Sequence, residues 1–348
     1  MAKKKNIGTE SFDEFLQRQY GKGVLTTAND LVERKREILP TVLSLDIALN
    51  GGIPVGTTCL ISGKPKIGKS SLCLQILKNA IERNKPAFYV DIERRANKSL
   101  IQTISGLDIE KLNIIRSTED KFLTAEDYLD ILERIIKDNK DAVIVVDSLA
   151  MLSTMAEMSE SIGANKDMSG PPKLLSSFFR RTQQVVDNNN IILIFISQLI
   201  TNRDPQGKKY IEKGGMGVQY AVSVWLNCTW AKLWDKDINS NAPLGQDIQI
   251  NIVCSALGSP YLPCSIPLRF GSGPDVVKDI IQNSENIGLI EKSGSWYSIT
   301  NTLDEKNEPM KFQGLDKVRE FLINNPIKLQ DLENNIRNIL IPKDHNVN

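Results

Sequence analysis

Residues 63–70 constrain the fold of this chain more than any other part of the sequence. They read Gly-Lys-Pro-Lys-Ile-Gly-Lys-Ser, a full match to the pattern Gly-x-x-x-x-Gly-Lys-[Ser/Thr]. The apolar stretch 58–61 before them predicts a strand, and residues 69–83 after them predict a helix with one apolar face. A strand, a glycine loop and a helix in this order are typical of the phosphate-binding loop of α/β nucleotide-binding proteins.

The residue types of the loop fit the chemistry of a nucleotide. Its glycines let backbone N–H groups turn toward phosphate oxygens without a clash from Cβ, and the following helix adds its positive N-terminal end. Lys69 is expected to reach the outer phosphates, and the Ser70 hydroxyl to ligate Mg²⁺. The residues expected to contact ATP here are Gly63, Lys64, Pro65, Lys66, Ile67, Gly68, Lys69, Ser70 and Ser71. The alternative, a chance glycine turn with an exposed lysine, does not explain the strand and helix around the loop.

The rest of the central region alternates strand and helix patterns. Residues 142–146 and 191–196 are short apolar runs rich in β-branched side chains, which suit strands buried on both faces. Residues 87–91 predict another strand, and residues 124–138 a helix with Thr124 and Asp127 as a capping box. This alternation predicts an α/β fold with a mostly parallel sheet.

Three polar residues follow these predicted strands. Asp147 ends the run 142–146, where a carboxylate can hold Mg²⁺ beside a phosphate loop, although an aspartate there can also cap a helix. Glu93 lies just past the strand 87–91 and could activate the water that attacks the γ-phosphate, or be a surface acid beside two arginines. Gln198 follows the run 191–196 and could respond to the γ-phosphate, or simply be solvated.

Composition excludes several other classes of protein. No run approaches the ~18 apolar residues that span a bilayer, and the basic start of the chain has no apolar segment behind it. The five cysteines are odd in number and lack C-x-x-C spacing, which disfavours zinc and disulfides and favours a reducing cytoplasm. The formal net charge is +1, so a nucleic-acid site must be a local basic surface.

Taken with residues 45–56, these features resemble the bacterial RecA family. The similarity begins at Gln-Tyr-Gly-Lys-Gly (19–23) and continues through Val-Ile-Val-Val-Asp-Ser (143–148), Leu-Ile-Phe-Ile-Ser-Gln (193–198) and the glycine pair 214–215. It ends with Leu-Ile-Glu-Lys-Ser-Gly-Ser-Trp-Tyr (289–297). Each piece is moderately specific, and their shared order and spacing are highly specific.

The resemblance implies a RecA-like phosphate-loop NTPase core at residues 37–274. It further implies a small N-terminal helical oligomerisation segment (1–36) and a small C-terminal α+β domain (275–348). Lys69 and Ser70 would hold phosphates and Mg²⁺, Asp147 would support the metal, and Glu93 would be the base. Gln198 would couple the nucleotide to the following DNA segment. The implied activity is DNA-dependent ATP hydrolysis in a filament that pairs single-stranded with double-stranded DNA.

The resemblance also implies two DNA-binding segments, at residues 157–173 and 199–213. In the first, Met168 stands where the family inserts an apolar wedge between bases, and Lys173 could meet phosphates. The second is basic with one aromatic, which suits single-stranded DNA; its candidates are Arg203, Lys208, Lys209, Tyr210 and Lys213. The alternative for this cluster is a solvated loop. Residues 170–172, Gly-Pro-Pro, are unusual for the family and are expected to stiffen the first segment.

Several positions depart from the family. Leu100 stands where an aromatic usually stacks on adenine. Asn97 replaces the acid that reads the adenine amine, and its amide could still do so. Cys254 and Ala256 replace two lysines that the family sends across the subunit interface to the γ-phosphate; Lys66 is a candidate substitute. Two alternatives to an active recombinase therefore stay open. They are an ATP-binding filament or mediator protein with little turnover, and a hexameric helicase, which the family-like C-terminal region disfavours.

Overall fold

A computed structural model describes residues 11–33, 36–159, 170–201, 210–212, 216–234, 242–303 and 309–342. The chain divides into two compact units, with the boundary between Glu37 and Ile38. In the first unit, helix α1 (Phe12–Tyr20) begins at a capping box in which Ser11 and Glu14 exchange side-chain-to-backbone hydrogen bonds. Helix α2 (Ala28–Glu33) follows it. The predicted N-terminal helical segment is therefore present.

The second unit contains the remaining helices and all the strands described. The helices are α3 (Leu43–Ala48), α4 (Lys69–Glu82), α5 (Lys98–Ile101), α6 (Ala125–Asp138), α7 (Met155–Ser159), α8 (Gly170–Asn188), α9 (Met216–Ala221), α10 (Val276–Asn286), α11 (Leu315–Asn324) and α12 (Pro326–Leu340). The strands are β1 (Ile38–Leu39), β2 (Ile53–Pro54), β3 (Thr57–Gly63), β4 (Ala87–Asp91), β5 (Leu112–Ile115), β6 (Val143–Asp147), β7 (Ile192–Thr201), β8 (Tyr210–Glu212), β9 (Val224–Leu233), β10 (Gly245–Cys254), β11 (Pro263–Arg269), β12 (Gly273–Pro274), β13 (Ile290–Ser293), β14 (Trp296–Leu303) and β15 (Pro309–Gln313).

The large central sheet joins a parallel half to an antiparallel half. Its strand order is β12-β11-β10-β9-β3-β7-β6-β4-β5, with β8 paired to the end of β7. Neighbours from β9 through β5 run parallel, whereas the neighbours from β9 to β12 run antiparallel. The predicted α/β class with a mostly parallel central sheet is therefore confirmed, and the antiparallel strands account for the change in pattern after residue 223.

Both faces of the parallel strands are buried, which explains their continuous apolar sequence. In β6, Val143 and Val145 pack into the apolar cluster that contains α4, while Ile144 and Val146 pack into the cluster that contains α6 and α8. Helix α6 begins at the predicted capping box, in which Thr124 and Asp127 exchange hydrogen bonds. A helix on each face thus holds the strands that carry the predicted site.

The C-terminal part of the second unit is a small α+β structure with its own apolar cluster. Strands β13, β14 and β15 form an antiparallel sheet, and helices α10, α11 and α12 accompany it. Buried carboxylates tie it to the core: Arg337 of α12 pairs with Asp46 of α3 at 2.8 Å, and Asp279 of α10 accepts a hydrogen bond from the backbone N of Ser44 at 3.0 Å. The division at residue 275 remains a prediction, because the contacts group residues 38–348 as one unit.

The sequence disfavoured disulfide bonds and membrane-spanning segments. All five cysteines are free thiols, and four of them are buried. Among the described residues, no helix is both long enough and apolar enough to cross a membrane.

We predict that Asp279 makes the free energy of unfolding fall between pH 4 and pH 6. Burial raises the pKa of this carboxyl from 3.8 to about 6, so the folded chain holds a proton that the unfolded chain has released. Its stabilising contribution is therefore full below the unfolded pKa and is lost as pH rises through the folded pKa, by at most about 1.4 kcal/mol per pH unit.

The test is denaturant unfolding of Asp279→Asn at closely spaced pH values, with the exposed Asp130→Asn as the control. We expect Asp279→Asn to lose the part of the pH dependence of unfolding that comes from one proton. Burial also raises the pKa of Asp46 to about 6, so the contribution of Asp46 should remain. Parallel pH profiles for wild type and Asp279→Asn would contradict the assignment.

Candidate functional site

The strand register brings the predicted polar residues to one edge of the sheet. Gly63 at the end of β3 lies opposite Gln198 of β7, and Asp91 at the end of β4 lies opposite Asp147 of β6. Parallel strands end at the same edge, so residues that are far apart in the sequence meet here. The phosphate loop leaves the sheet from the same edge at Gly63.

Two glycines of the loop have conformations that a side chain would disturb. Gly68 is left-handed, with φ of +103°, and caps the N-terminus of α4. A Cβ there would lie 2.6 Å from a methyl carbon of Leu268. A Cβ on Gly63, which has φ of +156°, would lie 2.6 Å from the carbonyl oxygen of Cys228. The close approach of β9 and β11 therefore requires glycine at both positions.

Lys69 lies inside the loop and is buried, with 7% of its surface exposed. It is therefore not the exposed lysine of the alternative interpretation, a chance glycine turn. Its Nζ donates hydrogen bonds to the carbonyl oxygens of Gly63 (3.0 Å) and Lys64 (2.7 Å). Burial lowers the pKa of Lys69, while nearby Cys228, Asp147 and Glu93 act in the opposite direction. The ammonium group is thus held at the loop by backbone oxygens that a phosphate could replace.

Asp147 is the centre of a buried hydrogen-bond network. Its Oδ2 accepts from the hydroxyl of Ser70 (2.6 Å) and from the phenol of Tyr89 (2.6 Å). Burial raises the pKa of Asp147, and the two hydroxyl donors oppose that rise. In the helix-cap alternative the carboxylate would accept a backbone N–H, but the hydrogen bonds of its side chain run to hydroxyl groups. A hydroxyl and a carboxylate oxygen are the hard ligands that Mg²⁺ prefers, so the pair fits the metal.

Glu93 and Gln198 contact each other directly. The amide Nε2 of Gln198 donates to Oε1 of Glu93 at 2.7 Å, and the hydroxyl of Ser148 donates to the same oxygen at 2.5 Å. The second oxygen, Oε2, pairs with Nη1 of Arg95 at 2.9 Å. The side chain of Glu93 is 5% exposed and has a partner on each oxygen, so it is a buried carboxylate rather than the surface acid of the alternative interpretation.

A cavity of about 270 Å³ opens over this edge of the sheet. Its lining includes most of the predicted phosphate-loop residues together with Glu93, Asp147 and Gln198. It also includes residues that the sequence did not single out: Arg95, Thr103, Ile196, Gln246, Leu268, Arg269, Phe270, Gly271 and Gly273. Phe270 is the only aromatic among the described lining residues, and no local sequence pattern marked it.

Of the two residues predicted to lie near the adenine, Leu100 and Asn97, only one lines the cavity. Leu100 lines the cavity. Asn97 is exposed and lies outside the lining; its Oδ1 accepts from the backbone N of Leu100 and so caps helix α5. This hydrogen bond is a structural use of the amide, and the proposed reading of adenine by Asn97 stays a prediction.

Most of the predicted DNA-contacting residues lie outside the described part of the chain, namely Met168, Arg203, Lys208, Lys209 and Lys213. Lys173 is exposed in the first turn of α8, and Gly170-Pro-Pro172 forms the start of that helix rather than a stiffened loop, as suits proline near a helix N-terminus. The backbone of Tyr210 begins β8, which pairs with the end of β7. The second predicted segment thus begins and ends in a β-ribbon.

A buried lysine, a glycine loop and a paired serine and aspartate at the carboxyl edge of a parallel sheet define a phosphate-loop nucleotide-binding protein. The RecA N-terminal domain model matches residues 10–275, and the RecA C-terminal domain model matches residues 278–340. The chain belongs to the RecA family.

Curated relatives agree with this placement. Protein RecA of Thermus thermophilus is 29% identical over 342 residues, which cover 97% of this chain and 95% of that protein. Protein RecA of Acholeplasma laidlawii is 27% identical over 328 residues, covering 92% and 93%. Protein RecA of Bifidobacterium longum is 27% identical over 328 residues, covering 92% and 78%.

We predict that Lys69→Ala weakens binding of Mg-ATP by about 2 kcal/mol or more, since charge-assisted contacts to phosphate are among the strongest hydrogen bonds. The fold should persist, because alanine is a good helix former at the first position of α4. Lys111→Ala is the matched control, an exposed lysine outside the cavity lining. Calorimetric titration and thermal unfolding of both variants are the measurements. If Lys69→Ala bound Mg-ATP with wild-type affinity, Lys69 would not be a phosphate-binding residue.

Proposed function

We propose that this protein is an ATP-dependent recombinase that forms a filament on single-stranded DNA. In this proposal it pairs that DNA with homologous double-stranded DNA, exchanges strands, and hydrolyses ATP in response to DNA. It acts in the cytoplasm on DNA and on further copies of itself. Membership of the RecA family supports the general function.

The observation that carries the proposal is the hydrogen bond from Gln198 to Glu93. Glu93 is the group proposed to activate water, and Gln198 lies on β7. The same strand continues to Thr201 and pairs with β8 on the other side of the predicted second DNA segment. If DNA binding displaced this ribbon, the hydrogen bond between Gln198 and Glu93 would transmit the movement directly to the carboxylate of Glu93.

The proposed chemistry divides between the loop and the carboxylate. Lys69 and the backbone of residues 63–70 would bind and orient the phosphates. Ser70 and Asp147 would hold Mg²⁺, which neutralises charge on the phosphate oxygens when bound. Glu93 would position the attacking water and accept its proton, while Gln198 and Ser148 hold the carboxylate in place through Oε1.

One experiment separates the recombinase from its two alternatives. ATP hydrolysis is measured with and without single-stranded DNA, and the same mixtures are imaged by negative stain. A recombinase gives filaments and DNA-stimulated turnover, together with strand exchange between homologous DNA molecules. A mediator protein gives filaments with little turnover. A helicase gives rings, which would overturn the proposal.

We predict that Glu93→Gln keeps binding of ATP and single-stranded DNA but slows hydrolysis by roughly 100-fold or more, as loss of a positioned base does. Glutamine keeps an oxygen that can accept from Gln198, so the fold of the edge is preserved. Glu110→Gln, at an exposed position outside the cavity, is the control. Normal turnover in Glu93→Gln would mean that another group activates the water.

We predict that neutralising Arg203, Lys208 and Lys209 together weakens binding to all DNA sequences alike. Each lost phosphate contact should flatten the salt dependence of the binding constant by about one unit of slope. A triple variant at Lys111, Arg134 and Lys137, which are exposed basic residues elsewhere, controls for net charge. The measurement is fluorescence anisotropy over a range of salt concentrations. Equal slopes for the two triple variants would leave this segment as a solvated loop.

A further inference from the structure

Arg95 occupies a position that neither the phosphate loop nor the DNA segments explain. It lines the cavity together with Lys69, Ser70 and Asp147, and its guanidinium pairs with Glu93. Its side chain is 67% exposed, whereas that of Glu93 is 5% exposed. An exposed cation on a buried carboxylate, inside the cavity over the phosphate loop, is placed to exchange one anionic partner for another.

The backbone beneath Arg95 is held by hydrogen bonds, whereas its side chain is largely exposed. The carboxylate of Asp91, which is 1% exposed, accepts from the backbone N of Arg95 (2.9 Å) and of Ala96 (2.9 Å). The backbone N groups of Ile92 and Glu93 donate to the carbonyl oxygen of Asp147 at 2.9 and 3.2 Å. Residues 92–96 therefore leave β4 on a rigid path that ends with the guanidinium over the cavity.

Other cations of the lining are less suited to this exchange. Among the described residues four cationic side chains line the cavity: Lys66, Lys69, Arg95 and Arg269. Lys69 is buried against the loop carbonyls, and Arg269 pairs with the buried Asp275 at 3.0 Å. Lys66 is exposed at the turn of the loop with φ of +61°, and no ion pair or hydrogen bond to Glu93 involves it among the contacts described. Arg95 alone of the four contacts Glu93 directly.

The contacts of Glu93 give this pairing a consequence. Oε1 accepts from Gln198 and Ser148, and Oε2 is occupied by Arg95. Each carboxylate oxygen can accept two hydrogen bonds, so Oε1 is filled by its two donors, whereas Arg95 takes one of the two acceptor positions of Oε2. Release of Arg95 frees Oε2, while Gln198 and Ser148 still hold the group through Oε1.

We propose that Arg95 contacts the terminal phosphate of bound ATP from within the same subunit. In doing so its guanidinium breaks the ion pair with Oε2 of Glu93. The γ-phosphate carries more negative charge than a carboxylate and accepts the same bidentate geometry, so it competes for the guanidinium. Arg95 would then supply positive charge to the γ-phosphate in cis. This inference rests on the proposed function, since it needs ATP in the cavity.

The test measures how the protein distinguishes ATP from ADP. Dissociation constants for Mg-ADP and for Mg-ATPγS are obtained by calorimetry, and kcat and KM for ATP are obtained with single-stranded DNA. The variants are Arg95→Gln and Arg95→Lys. Arg94→Gln is the matched control, because Arg94 has the same charge and is also exposed, but lies outside the lining. Lys66→Gln tests the rival cation of the loop.

In Arg95→Gln we expect the preference for ATPγS over ADP to fall about 10-fold or more, the loss expected for one charge-assisted contact. The affinity for ADP should change by no more than about twofold, because a terminal-phosphate contact is absent with ADP. The kcat for ATP should also fall, Arg95→Lys should recover part of the preference, and Arg94→Gln should match the wild type.

Two results would overturn the inference, and they are distinguishable. If the wild type binds and hydrolyses ATP and Arg95→Gln keeps its preference and kcat, then Arg95 does not contact the γ-phosphate and the proposed function stands. The same conclusion follows if Lys66→Gln alone loses the preference. If the wild type binds neither nucleotide, the proposed function fails and this inference fails with it.

Discussion

The parallel register of strands β3, β7, β6 and β4 is the constraint on which the site depends. It places Gly63 beside Gln198, and Asp91 beside Asp147, so that the ends of the strands align at one edge. A shift of one residue in any strand would turn its apolar side chains to the opposite face and move its polar end out of line. Because both faces of these strands are buried, the apolar clusters that stabilise the fold also fix the register of the site.

Two ionisable groups of the site, Asp147 and Lys69, are buried, and burial of a charged group is energetically unfavourable. Burial raises the pKa of Asp147 and lowers the pKa of Lys69, so it disfavours the charged form of each group. Hydroxyl donors from Ser70 and Tyr89 oppose this effect at Asp147. At Lys69 the nearby Cys228, Asp147 and Glu93 oppose it. These partners all belong to the fold itself, so phosphates and a metal ion would enter a site whose dipoles the fold orients. Such preorganisation is the usual source of electrostatic catalysis.

The sequence predicted the parts of this arrangement that local patterns encode. Apolar runs at 142–146 and 191–196 predicted buried strands, and the glycine loop predicted the strand–loop–helix unit that is observed. The sequence could not predict partners that arrive from distant strands. Phe270 follows β11, an antiparallel strand joined to the site only through β10 and β9, and Tyr89 reaches Asp147 across two neighbouring strands.

Two arginines line the cavity, each paired with a carboxylate, and the surroundings of the two pairs differ. Arg269 pairs with Asp275, which also pairs with Arg319 at 2.6 Å and caps helix α10. Its guanidinium carbon also lies 5.4 Å from the centre of the Trp234 ring, and its side chain is 32% exposed.

Arg269 packs on the ring of Trp234, and its partner Asp275 also pairs with Arg319 of the C-terminal part. These contacts make Arg269 part of the cavity wall next to Phe270. Arg95 has twice that exposure, at 67%, and its partner Glu93 keeps two further donors if the guanidinium leaves. Identical chemistry therefore has different consequences at the two places. A pair enclosed by other contacts stabilises the shape of the cavity, while a pair open to solvent on its cationic side can respond to what enters it.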